Sequence, residues 1–102
     1  MASVADLVEE RAIRQLVGPE PYADGLALAD SGAVRLIEFG PMTVVAEVAD
    51  GSPEPRVELE SLDGELAWRC ECPEGVAGLG CRHLAATAIV TWRRSPARRG
   101  EQ

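Results

Sequence analysis

Arg69-Cys70-Glu71-Cys72-Pro73-Glu74-Gly75-Val76-Ala77-Gly78-Leu79-Gly80-Cys81-Arg82-His83 holds all three cysteines of this chain and its only histidine. The spacing is Cys-x-Cys, a gap of eight residues, then Cys-x-His. Three thiolates and one imidazole are the ligand set of a tetrahedral structural zinc site, in which the protein fills every coordination position. Cys70, Cys72, Cys81 and His83 are therefore read as zinc ligands. The other readings are a buried cluster of free cysteines, a redox pair and an iron–sulfur site. Cys-x-Cys lacks the Cys-x-x-Cys spacing of thioredoxin-like redox motifs. A mixed Cys3His set suits zinc better than the usual all-cysteine iron–sulfur cluster.

The residues just before this stretch explain the Cys-x-Cys spacing. Arg56 to Leu62 and Glu65 to Cys72 flank Asp63-Gly64, a two-residue turn of the type I′ class. Such a loop sets Leu62 opposite Glu65, and from there Leu59 opposite Trp68, Val57 opposite Cys70, Glu58 opposite Arg69 and Arg56 opposite Glu71. Apolar residues then meet on one face and opposite charges on the other, a match that a slip of one residue would lose. Side chains at i and i+2 leave a strand on the same face, so Cys70 and Cys72 continue the core face of Leu66 and Trp68. Pro73, which cannot donate to the ladder, ends the strand. Gly75, Gly78 and Gly80 let the following loop turn back.

Beyond the loop, His83 to Arg93 reads as a helix that is apolar on nearly every side and hence largely buried. Cys81 precedes it and His83 lies in its first turn, where the positive end of the helix dipole favours thiolates. Upstream, Ser3 to Val17 reads as one packing helix. Ser3 and Asp6 make its capping-box start, Ala5, Val8, Ala12 and Leu16 a row with Ile13 beside it, Glu10–Arg14 an ion pair, and Gly18-Pro19 its end. Pro19-Glu20-Pro21 reads as a stiff connector, followed by Tyr22 to Leu28 and a turn at Asp30-Ser31-Gly32. Ala33 to Phe39 and Met42 to Val48 read as strands joined at Gly40-Pro41, with Val44, Ala46 and Val48 on one face of the second. Asp50 to Pro55 is a polar loop.

The fold expected is α+β: a small antiparallel sheet of about four strands, an N-terminal helix over 1–18, strands and metal site over 19–93 with a core at 56–93, and an Arg-containing flexible tail over 94–102. The chain of 102 residues carries a formal net charge of −7, with ten arginines and no lysine. Three thiolates and one Zn2+ would take it to about −8. An acidic whole argues against indiscriminate nucleic-acid binding. The charge is uneven, however: Glu47 to Glu65 is acidic, whereas Gly75 to Gly100 holds Arg82, Arg93, Arg94, Arg98 and Arg99 and no acid. No apolar run is long enough for a membrane helix. The first residues lack the basic and apolar regions of a signal peptide, and three cysteines fit a disulfide framework poorly. These features point to the cytoplasm.

The segment also resembles the SWIM zinc finger, whose hallmark is Cys-x-Cys, a variable gap, and Cys-x-His at a helix start. Cys70, Cys72, Cys81 and His83 match its four ligand positions. Pro73, the small-residue gap and the Ala-rich helix from Leu84 are similar as well. Tyr22-Ala23-Asp24-Gly25, Gly32-Ala33-Val34, Val44 to Val48 and Val57 to Leu59 look like the strands before the finger in bacterial members. Arg82 stands where those members often carry lysine, at a position that supplies no ligand. The resemblance implies a C-terminal ββα finger that binds protein or DNA rather than catalysing a reaction. SWIM modules accompany bacterial Snf-type helicase-like ATPases, transposases and some eukaryotic ubiquitin-linked kinases. This sequence has no Gly-x-x-x-x-Gly-Lys loop of its own.

Three functions compete at this point. A protein–protein adaptor built on structural zinc is favoured by the acidic strands and the negative total. A nucleic-acid accessory module would use Arg82, Arg93, Arg94, Arg98 and Arg99. An enzyme would need a carboxylate such as Glu71 or Glu74 beside a zinc with an open position, and a four-ligand site offers none. The expectation is a zinc-binding adaptor, not an enzyme.

Overall fold

A computed structural model describes residues 3–51 and 54–95. Nine elements follow in order: α1 (Val4–Leu7), α2 (Glu10–Val17), α3 (Pro19–Asp30), β1 (Val34–Phe39), β2 (Thr43–Val48), β3 (Arg56–Leu62), β4 (Glu65–Cys70), α4 (Pro73–Val76) and α5 (Arg82–Arg94). The four strands form one antiparallel sheet in the order β1-β2-β3-β4. This is the α+β fold expected, with more helix at the N-terminal end.

The β3–β4 hairpin forms in the expected register. Leu62 pairs with Glu65, Leu59 with Trp68, Glu58 with Arg69 and Val57 with Cys70. Asp63 and Gly64 both have positive φ, 54° and 81°, as a type I′ turn requires. Opposite Arg56, Glu71 donates its backbone N–H to the Arg56 carbonyl, while the Arg56 guanidinium pairs along its own strand with Glu58. A Cβ at Gly64 would meet nothing within 4 Å, so substitution there is resisted by backbone strain alone. Gly64→Val should cost about 1–3 kcal/mol, the strain scale of such positions. Thermal unfolding measures it, and an unchanged melting temperature would rule out the strained turn.

One face of the sheet is the core face. Val44, Ala46 and Val48 of β2 and Val57 and Leu59 of β3 have no exposed surface, nor do Leu84, Ala85 and Ala88 of α5, which lie in the same buried cluster. Helix α5 is buried on nearly every side because α3 covers the side that the sheet does not. At the centre of the opposite face, Val45 is buried between its strand partners Glu38 and Glu58. Edge strand β1 carries a bulge between Leu36 and Glu38, which leaves Ile37 half exposed.

Several expectations change. The single N-terminal helix is two. The Ser3–Asp6 capping box starts α1, but the chain leaves the helix at Val8 and Glu9, where Glu9 is extended at ψ 159°. The break resets the helical phase so that Val4, Val8, Ile13 and Val17 all reach the core, while Leu16 of the expected row is exposed. A bond from the Val4 N–H to the Pro41 carbonyl, 2.7 Å, ties α1 to the β1–β2 turn.

The stiff connector and the strand-like stretch from Tyr22 are instead helix α3. Pro19 occupies its first turn, where a backbone N–H has no intrahelical partner to lose. Gly18, at φ 89°, ends α2 and starts α3 in one residue. Gly25 is not a breaker but the crossing point on α5: a Cβ there would lie 2.6 Å from Ala85 Cβ and 2.8 Å from the Ala86 nitrogen.

Strand β4 ends at Cys70 rather than Cys72, and Pro73 opens the short helix α4 where only a glycine loop was expected. Downstream, α5 runs through Arg94 and Ser95 is buried, so both belong to the folded part. The remainder of the expected tail, with Arg98 and Arg99, lies outside the described residues.

Candidate metal centre

Cys70, Cys72, Cys81 and His83 come together. One ligand atom from each lies within 4.8 Å of all the others, and all four residues are buried. Each is delivered by local geometry. Cys70 closes β4, and Cys72 remains extended (φ −72°, ψ 164°) although it lies beyond the strand, so the two side chains still share a face with their sulfurs 3.5 Å apart. Cys81 is the N-cap of α5, and His83 stands in the first turn with Nδ1 3.8 Å from Cys70 Sγ.

Backbone amides converge on the sulfurs. Leu84 N–H donates to Cys81 Sγ at 3.4 Å and Gly75 N–H to Cys72 Sγ at 3.3 Å. Both sulfurs thus act as helix caps, a place where negative charge is stabilised by unpaired amides and the helix dipole. Gly75 has to be glycine for this arrangement, since a Cβ would lie 2.4 Å from the Cys70 carbonyl oxygen.

Charge is shared unevenly among the three sulfurs. Cys81 is pushed down to about 4, first by the hydrogen bond from Cys70 and then by His83 and the Leu84 amide, against the cost of burial. Cys70 is pushed up by that same partnership with Cys81, and Cys72 is pushed up chiefly by burial. His83 is raised, mainly by Cys81 and then by Asp50. One thiolate is supported; two more beside it in a buried space are not, because like charges there repel. A divalent cation between them removes that conflict. The donor set suits a metal ion such as zinc.

Sequence reasoning overlooked Asp50. Its Oδ2 lies 2.7 Å from His83 Nε2 and 2.6 Å from Arg82 Nε. Arg82 first and then His83 hold the Asp50 carboxyl below its ordinary value. In the sequence it reads as one more residue of a polar loop; no local signal ties it to a histidine 33 positions away.

Comparison with known protein families, curated proteins and solved structures returned no match.

Of the other expected site residues, Arg82, Glu71 and Glu74 lie beside the cluster. Arg82 is engaged by Asp50, and Arg93 by Asp30 at 2.8 Å. Glu71 accepts a hydrogen bond from the Arg56 backbone N–H at 3.3 Å. With Glu74, Glu54, Asp50 and Arg82 it lines a surface cleft of about 460 Å³ that passes Cys72 and His83. Among the described residues, no helix is long and apolar enough to cross a membrane.

Proposed function

We propose that this chain is a SWIM-type interaction module in which Cys70, Cys72, Cys81 and His83 hold one structural zinc ion, and that it works as a protein–protein adaptor. The observation that carries the reading is the buried convergence of three sulfurs and one imidazole nitrogen within 4.8 Å. Four protein ligands complete the coordination of zinc and leave no position at which it could activate water. The reading is thus of a scaffold, not an enzyme. What supports the SWIM assignment is the placement of its hallmark: Cys-x-Cys at the end of a strand in a hairpin, and Cys-x-His with the cysteine capping a helix.

Two features support protein rather than nucleic acid as the partner. Arg82 and Arg93 are each paired with an aspartate of this chain, which lowers their availability to phosphate. Exposed apolar side chains stand beside the knuckle and along the sheet edge: Val76 and Leu79 near α4, Ile37 and Phe39 on β1.

The alternative, a nucleic-acid accessory module for a helicase-like ATPase or transposase, makes a separate claim. It requires binding that falls steeply with salt, because added salt reduces the free energy gained by releasing counterions from the phosphates. A gel-shift series with single- and double-stranded DNA and RNA at low salt should show no retention. Retention that is lost in a variant lacking Arg93, Arg94, Arg98 and Arg99 would replace the adaptor reading with the alternative. The adaptor reading itself is tested by affinity capture from a native lysate with the zinc-loaded and chelated chain. A partner retained only by the zinc-loaded form is the expected result, and identical capture by both would refute a metal-built interface.

A further inference from the structure

We propose that Asp50 is the residue that positions His83 for metal binding, by holding the ring in the tautomer and orientation that turn Nδ1 toward the three sulfurs. The inference rests on the zinc reading and goes beyond the four ligands to a loop that no motif connects with the site.

The two ring nitrogens of His83 face different partners. Nδ1 faces Cys70 Sγ at 3.8 Å and Nε2 faces Asp50 Oδ2 at 2.7 Å. An ionised carboxylate can only accept, so the ring nitrogen beside it carries the hydrogen. A carboxyl group is ionised at neutral pH, and the Arg82 guanidinium, which can only donate, lies 2.6 Å from the same oxygen. Nε2–H therefore donates to Asp50, and the lone pair of a neutral imidazole is left on Nδ1, on the cysteine side. A carboxylate on the far nitrogen of a ligating histidine also raises the basicity of the near one.

The carboxylate is itself held in place. Arg82 Nε reaches the same Oδ2 at 2.6 Å. The loop bearing Asp50 is anchored just before it by a bond from the Ala49 N–H to the Ala33 carbonyl at 2.8 Å. A residue between β2 and β3 is thereby tied to a ligand on α5, so the metal site draws on the loop between the second and third strands as well as on the finger.

The experiment compares the full chain with Asp50→Ala, Asp50→Asn and Arg82→Gln. Zinc affinity is read by competition with a chromophoric chelator, and the His83 tautomer by long-range 15N–1H NMR of the zinc-loaded protein. Asp50→Ala should weaken zinc by about 10–100-fold and remove the slowly exchanging Nε2 proton. Asn keeps an acceptor oxygen without the charge, so Asp50→Asn should retain the tautomer and lose less affinity. Arg82→Gln should lose least, because it leaves the His83–Asp50 bond intact.

Should Asp50→Ala fail to fold, Asp50→Asn and the tautomer signal still decide the matter. A parent chain that takes up no zinc overturns the metal reading and this proposal together. A parent chain that binds zinc, with both Asp50 variants binding equally well and the ring signals unchanged, overturns the role of Asp50 alone. Loss in Arg82→Gln equal to that in Asp50→Ala also overturns it, since loop anchoring would then be the whole effect.

Discussion

Chelation will remove one zinc ion per chain and open the molecule from the cysteine knuckle outward. Structural zinc contributes about 10–16 kcal/mol of apparent binding free energy in finger peptides, whereas a domain's whole net stability is about 5–15 kcal/mol. The segment from Cys70 to His83 has little else to order it: α4 is one turn with no buried residue, and Val76 and Leu79 are exposed. Helix α5 is better supported, because Leu84, Ala85 and Ala88 lie in the main core. Loss of amide protection is therefore expected to be complete from residue 71 through the first turn of α5, and partial beyond it. Native mass spectrometry counts the metal and hydrogen exchange maps the opening. Full protection of residues 71–84 in metal-free protein would show that the fold does not depend on zinc.

Cys81→Ser separates ligand from cap. Serine is a good N-cap and can still accept the Leu84 N–H, but it is a poor zinc ligand. The variant should behave like the chelated protein although its helix start is chemically satisfied. Acid should act in the same direction. Zinc binds thiolates and neutral imidazole, so protons compete and affinity falls as pH drops below about 6. Asp50 is not the cause in that range. Its carboxyl is depressed below the ordinary 3.8, so what it adds to stability is present above that value and lost only as pH falls through the lower folded one. A zinc content that stays constant down to pH 4 would contradict thiolate ligation.

Gly25→Val will lower stability by about 3 kcal/mol, at the upper end of ordinary overpacking costs. A Cβ at this position meets Ala85 Cβ at 2.6 Å, the Ala86 nitrogen at 2.8 Å and the Arg82 carbonyl oxygen at 2.9 Å. Two of the three are backbone atoms of α5 and cannot rotate away. The sign of the smaller change, Gly25→Ala, is diagnostic. In an exposed helix it would stabilise by about 1 kcal/mol through propensity; here overpacking outweighs that gain and the melting temperature should fall. Each kcal/mol is worth roughly 4–8 °C in a domain of this size. Because α5 carries Cys81 and His83, displacing it should also weaken zinc retention. A variant melting at or above the parent would place the α3–α5 crossing elsewhere.

Gly25 also shows where reading a sequence stops. A glycine and two prolines within seven residues argue against a helix on propensity, yet α3 forms. The prolines fall in its first turn, where they cost nothing, and the glycine is required by a helix approaching from far along the chain. The break at Val8-Glu9 is similar. Four apolar residues at spacings of four, five and four cannot share one face of an unbroken helix, but which bond gives way depends on the sheet and α5 beneath them.

From sequence alone came the β3–β4 register, the turn at Asp63-Gly64, the burial of α5 and the four members of the cluster. Each depends on interactions between near neighbours: the two-residue period of a strand, the φ > 0 demand of a tight turn, and the exposed amides of a helix start. Tertiary structure decided α3, the divided N-terminal helix and the meeting of Asp50 with His83. Those features arise from contacts between residues far apart in the chain, whose cost or gain exists only once the sheet and α5 have been brought together.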